Sequence, residues 1–126
     1  MTLWRSLKIA GLLASLAGIA AAAELKGVIM DKACSGKAEV RVLSTGIAGG
    51  MIVAEAHTRE CALMPACQKS GYGIFTTDNK FLEFDEAGSR KALEAIKASK
   101  KLDDLEVEIT GEISGNKIKV QSLKLL

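Results

Sequence analysis

Three cysteines and one histidine are the residues of this 126-residue chain whose types and spacing could do chemistry. His57, Cys61 and Cys67 fall within eleven positions, and Cys34 precedes them. On a helix, His57 and Cys61 would share one face, with Cβ atoms about 5–6 Å apart, which suits two ligands of one ion. Cys34 and Cys67 would complete a Cys3His set of the kind that holds zinc tetrahedrally. Soft thiolates also accept copper(I), and Met30, Met51 and Met64 are near enough in sequence to lend thioether sulfur. Asp31, three positions before Cys34, either ends a strand or acts behind the ligands, accepting from the ring nitrogen of His57 that does not bind metal. Glu55 and Glu60 flank His57 and read as a solvated face, with Glu55 turned away from the His57 and Cys61 side.

The same cysteines carry a second reading. Outside the cytoplasm cysteines pair, and a bridge stabilises a small chain by about 2–4 kcal/mol. Three cysteines allow one bridge and leave one thiol over. Gathering all three and the only histidine around one segment is explained more simply by a shared metal site. Catalysis finds little support: a Cys and His pair needs a third orienting group and an oxyanion site. A thiol–disulfide oxidoreductase would show C-x-x-C at a helix start, which is missing. The inventory therefore argues against an enzyme.

The compartment follows from the first residues. Arg5 and Lys8 precede an apolar run from Ile9 to Ile19, then Ala20 to Ala23 and the first acid, Glu24. That order is a secretory signal, with cleavage expected near Ala23 and residues 24–126 left as one periplasmic or secreted domain with no membrane anchor. The apolar run is short for a bilayer core about 30 Å thick. Losing Arg5 and Lys8 from the 17 basic residues leaves 15, against 15 acidic ones. Such a balance offers no basic footprint for phosphate backbones and argues against nucleic acid as a partner.

The elements that must position these residues come in two textures. Leu25 to Met30 reads as a first strand ending over Asp31 to Cys34. Residues 35–70 read as an insertion, with Thr45, Gly46, Gly49 and Gly50 as breakers and one helix from about Met51 to Ala62. Gly71 to Thr77 and Phe81 to Phe84 form a hairpin around Asp78 and Asn79. From Asp85, helical spacing of Ala92, Leu93, Ile96 and Leu102 predicts one amphipathic helix. Leu105 to Ile109 alternates apolar and polar, and a turn at Ser114 to Asn116 leads to Ile118 and Val120, a second hairpin. Five strands with a helix between the third and fourth suit a mainly β, OB-like barrel, whose helix closes one end; an α+β sandwich uses the same elements. Barrels of this type bind protein or glycan partners across strands two and three. Those strands hold Tyr72, Phe75, Phe81 and Phe84. Tyr72, between Gly71 and Gly73, is the side chain there that could meet a ligand, or it is a structural turn residue.

The run from Gly27 to Cys34, then His57 to Cys61, then Cys67 and the Gly71, Tyr72, Gly73 turn resembles small exported bacterial domains of uncharacterised function. Those domains carry a D-x-x-C, H-x-x-x-C, C order ahead of an OB-like tail. The resemblance spans nearly all of residues 24–126 and implies a compartment and a fold rather than an activity. This chain departs from it in a longer, more hydrophobic insertion that includes Ile47, Ile52 and Val53. The expected function is a metal-binding module holding zinc or copper; the alternative is a disulfide-stapled OB-like module that binds a protein or glycan without metal.

Overall fold

The computed structural model describes the backbone of residues 22–45 and 47–126 and the side chains of 22–38 and 50–126. The signal peptide expected over residues 1–23 lies, up to residue 21, outside the described residues. Five strands, β1 (Ala23–Asp31), β2 (Tyr72–Thr76), β3 (Phe81–Phe84), β4 (Glu106–Ser114) and β5 (Lys117–Leu125), are joined in a closed ring in the order β1, β2, β3, β5, β4. All pairings are antiparallel except β3 with β5, where Glu83 and Phe84 lie beside Lys117 and Ile118.

β1 is the strand on which the rest is assembled. Its first part, Ala23 to Val28, pairs with β4, and its last part, Gly27 to Asp31, pairs with β2. At Gly27 both neighbours are present, and a Cβ there would stand 2.3 Å from the Phe75 carbonyl oxygen, so the crossing requires glycine. Alternate residues of β1 serve two cores. Leu25 and Ile29 face the core inside the ring, with Ile74, Phe84, Ile96, Val107, Ile109 and Ile118. Val28 and Met30 face outward into a second cluster with Phe75, Ala38 and Ala54. Burial on both faces is why Val28, Ile29 and Met30 read as an unbroken apolar run rather than an alternating one.

A helix, α5 (Glu86–Ala98), connects β3 to β4; Asp85 caps its start, its side chain accepting from the Gly88 N–H at 3.1 Å. The same carboxylate accepts from the Val120 N–H, which ties the helix start to β5. Ala92 and Ile96 bury fully against the ring's interior.

Between β1 and β2 lie four further helices, α1 (Lys32–Thr45), α2 (Ile47–Ala56), α3 (Arg59–Ala62) and α4 (Pro65–Ser70). Two expectations change here. The described residues are about as helical as they are stranded, so the chain is not mainly β. The single helix expected from Met51 to Ala62 is broken at His57 and Thr58. Thr58 is extended (φ −90°, ψ 153°), and its hydroxyl accepts from the Cys61 N–H, so it starts a new helix instead of continuing the old one. No helix among the described residues is long and apolar enough to cross a membrane.

Ile96→Ala, which empties a fully buried position, is expected to lower unfolding free energy by about 2–5 kcal/mol. Glu94→Ala, exposed on the same helix, should stay within about 0.5 kcal/mol. Urea titration followed by circular dichroism compares the two.

Candidate metal centre

The last residue of β1 carries the centre. Asp31 continues the inward-facing series of Leu25, Gly27 and Ile29 past the apolar core and stands opposite Tyr72 of β2. Its side chain is 0% exposed. A carboxylate at that depth needs partners, and each comes from a different element.

The first partner is local. The chain turns from β1 directly into α1, and Asp31 Oδ2 accepts from the Cys34 N–H at 2.9 Å, the contact of a capping residue with the third residue of a helix. That bond fixes Cys34 in the first turn of α1. The second partner is His57, in the link between α2 and α3, whose Nε2 lies 2.6 Å from the other oxygen, Oδ1. The His57 side chain is itself only 8% exposed.

The remaining partner comes from α4. Pro65 opens this helix and Gly71, at φ 83°, closes it, leaving the buried Cys67 on its inner side. Two bonds lock the end of α4 to the start of α1: the Lys32 N–H donates to the Gly71 carbonyl at 2.8 Å, and the Ala33 N–H donates to Ser70 Oγ at 3.2 Å. Together these contacts bring an oxygen of Asp31 and the sulfurs of Cys34 and Cys67 to within 4.8 Å of one another. This buried group could hold a metal ion.

Its electrostatics are those of protonated thiols around an ionised acid. Burial pushes the Asp31 carboxyl up, but the hydrogen bond and charge of His57, followed by the bonds from Cys34, outweigh it and hold the group below its ordinary value. The Cys34 thiol is pushed up to about 11, by burial first and then by the charge of Asp31 and the hydrogen bond it makes to that carboxylate. Cys67 rises for the same reasons in the same order.

Of the residues singled out in the sequence, Cys34 and Cys67 meet at Asp31, and His57 joins them through Asp31 rather than as part of the three-donor group. His57 and Cys61 do not share a helix face, because the break at Thr58 separates them. Cys61 sits half-buried on α3, outside the three-donor group but near enough to Cys67 for its charge to raise that thiol further. Met30 and Met51 pack in the cluster beneath α1 and α2, and Met64 is exposed at the start of α4.

Tyr72 offers no face to a ligand. It is 1% exposed, and its hydroxyl donates to the Ala62 carbonyl at 2.6 Å, pinning the end of α3 to the sheet. Burial, then the charges of Asp31 and Cys67, push this phenol up to about 12. Arg59 holds the same helix from the other end, donating to the Ile96 and Lys97 carbonyls at the close of α5.

The D-x-x-C spacing, that of a capping acid and the third helical residue, is a sequence signal for the Asp31–Cys34 contact, though not for the approach of Cys67. Comparison with protein-family models, curated proteins and solved structures returns no match to this chain. Its function is therefore argued from this geometry.

Two outcomes follow. In the reduced, metal-free protein at pH 8, Cys34 should react with iodoacetamide roughly a hundredfold more slowly than in urea, and its rate should climb towards pH about 11, read residue by residue by mass spectrometry. Asp31, held low in the folded state, contributes stability that is present above the ordinary carboxylate pKa of about 4 and lost as pH falls through the folded value. Removing the His57 contribution raises that folded value towards the unfolded one, so His57→Ala should be less stable than the wild type near neutral pH and its urea midpoint should fall less on acidification below the ordinary carboxylate pKa.

Proposed function

We propose that the chain is an exported metal-binding module in which Asp31, Cys34 and Cys67 supply three donors to one ion. The observation that carries this reading is the convergence of those three donor atoms within 4.8 Å at a buried position. Export is supported by the order of charged, apolar and small residues over 1–23. An OB-like scaffold is supported by the ring order β1, β2, β3, β5, β4 with a helix between β3 and β4.

Two thiolates and one carboxylate make a mixed soft and hard set, which suits zinc; copper(I) would be taken through the sulfurs alone. Cys61, on the neighbouring α3, lies outside the three-donor group and leaves the fourth position to water. His57 stays on Asp31 and orients the carboxylate, a supporting bond of the kind worth about 10–100-fold in metal affinity. Binding displaces the thiol protons, and the ion takes over the charge that the carboxylate otherwise shares with His57. The role is metal handling: the carboxylate already has His57 and the Cys34 N–H as partners, so the fold does not depend on the ion.

Elemental analysis of protein purified from the periplasm without chelator is expected to find about one zinc per chain. Cys67→Ser should abolish it, and His57→Gln should weaken zinc affinity by about 10–100-fold in a competition titration. Reduced wild-type protein that takes up neither zinc nor copper(I) would overturn the reading and leave the disulfide-stapled module, with a protein or glycan partner, in its place.

A further inference from the structure

We infer that Cys34 and Cys67 also close a reversible disulfide, and that this bridge and the metal compete for the same two sulfurs, so that the site is gated by redox state. The inference rests on the metal reading above and adds its regulation.

The geometry comes first. The two sulfurs lie within 4.8 Å of each other although their residues are 33 apart in sequence. They are held there by backbone rather than by chance: Lys32 N–H to the Gly71 carbonyl and Ala33 N–H to Ser70 Oγ join the two helix ends that carry them. A disulfide needs sulfurs about 2.05 Å apart, which side-chain rotation supplies when the backbones are already in reach. Cys61 is the thiol left over, and it is half-exposed on a separate helix.

The network around Asp31 makes such a bridge easy to reduce. In the thiol form both sulfurs stand within 4.8 Å of an oxygen of the buried carboxylate, towards which their S–H groups can act as weak donors. Oxidation removes both S–H donors and leaves Asp31 with His57 and the Cys34 N–H alone. A buried acceptor that loses donors on oxidation favours the reduced pair. Stabilising the reduced form is what makes a disulfide labile and fit for switching rather than stapling.

The oxidant is a small-molecule or protein disulfide, R–S–S–R. In the loaded site the Cys34 sulfur, the more exposed of the two, attacks one sulfur of R–S–S–R, the S–S bond breaks, and R–S⁻ leaves. The Cys67 sulfur then attacks the mixed disulfide, forming the Cys34–Cys67 bond and expelling the second R–S⁻. Two electrons pass from the cysteine sulfurs to the oxidant, two protons from solvent make two R–SH, and the ion, stripped of both thiolates, dissociates as Zn²⁺.

The test uses the full exported chain, loaded with zinc and exposed to oxidised glutathione, with released zinc read by a chromogenic chelator and bridges mapped by peptide mass spectrometry. The expected result is about one zinc released per chain together with a Cys34–Cys67 bridge, Cys61 still open to alkylation, and recovery of zinc binding after dithiothreitol. Asp31→Asn should move the glutathione equilibrium about tenfold towards the bridge. If that variant does not fold, the wild-type titration decides alone: a bridge that stays closed in a large excess of reduced glutathione contradicts the labile pair. Zinc retained with all thiols reduced, or a bridge through Cys61, overturns the gate while leaving the metal reading intact. A reduced chain that takes no zinc yet still forms the bridge overturns both.

Discussion

An ionised carboxylate with no exposed surface, Asp31 at the end of β1, is the constraint around which this molecule is arranged. Burying such a group alone costs far more than a small domain can offset, so it persists only because partners are brought to it. One is the N–H of Cys34 at the start of α1, where the helix dipole also favours negative charge. Another is the ring of His57. The thiols of Cys34 and Cys67 complete the shell. These residues belong to three different stretches of the segment between β1 and β2. That segment is therefore fixed to the sheet at one point of high consequence as well as by the packing of Ala38, Ala54 and Ala62.

The sheet in turn fixes Asp31. β1 is held from both sides, by β4 along its first part and β2 along its second, and its side chains serve both the ring interior and the outer cluster. A strand clamped in this way leaves little freedom in where its last side chain stands. Tyr72, directly across from Asp31, spends its hydroxyl on the Ala62 carbonyl and so positions α3, the helix that carries Cys61. The position of the donors thus traces back to strand register, which side-chain alternation enforces strongly where one face is buried.

The parts of the fold legible in the sequence are those governed by local pattern. The two hairpins follow from alternation and turn residues at Asp78, Asn79 and Gly115, and Asp85 with its helical spacing announces α5. The insertion resisted the same reasoning. Two of its helices, α3 and α4, are short, started by the cap at Thr58 and by Pro65 at the first helical position, and the Thr58 cap competes with the apolar spacing running through Met51 to Ala62. The i, i+4 relation of His57 and Cys61 was sound arithmetic on a helix that does not exist there. The sequence leaves Asp31 either ending a strand or accepting from His57, and in the structure it does both, ending β1 with His57 Nε2 at 2.6 Å. Its second role, inside the cluster with Cys34 and Cys67, depends on α4 returning to the end of β1, a long-range event with no local signature.

The state of hydrogen bonding bears on what such a centre is for. Among the described residues, the buried side-chain oxygens without a partner are those of Asn79 and Asp104, and neither belongs to the cluster. Asp31 is satisfied by His57 and the Cys34 N–H, with the sulfurs of Cys34 and Cys67 within 4.8 Å of its oxygen. An ion bound here would fill no unsatisfied carboxylate; it would displace thiol protons to gain thiolate and carboxylate ligands. Structural zinc sites work the other way, since their free ligands lack order and binding supplies the folding energy. A cluster already complete without metal exchanges one set of partners for another at modest net gain. On the proposed reading, a third state, the oxidised pair, competes with the other two. On that reading, uptake and release require protonated, metal-bound and bridged sulfur to lie close in free energy, which separates such a site from one that only holds the fold together.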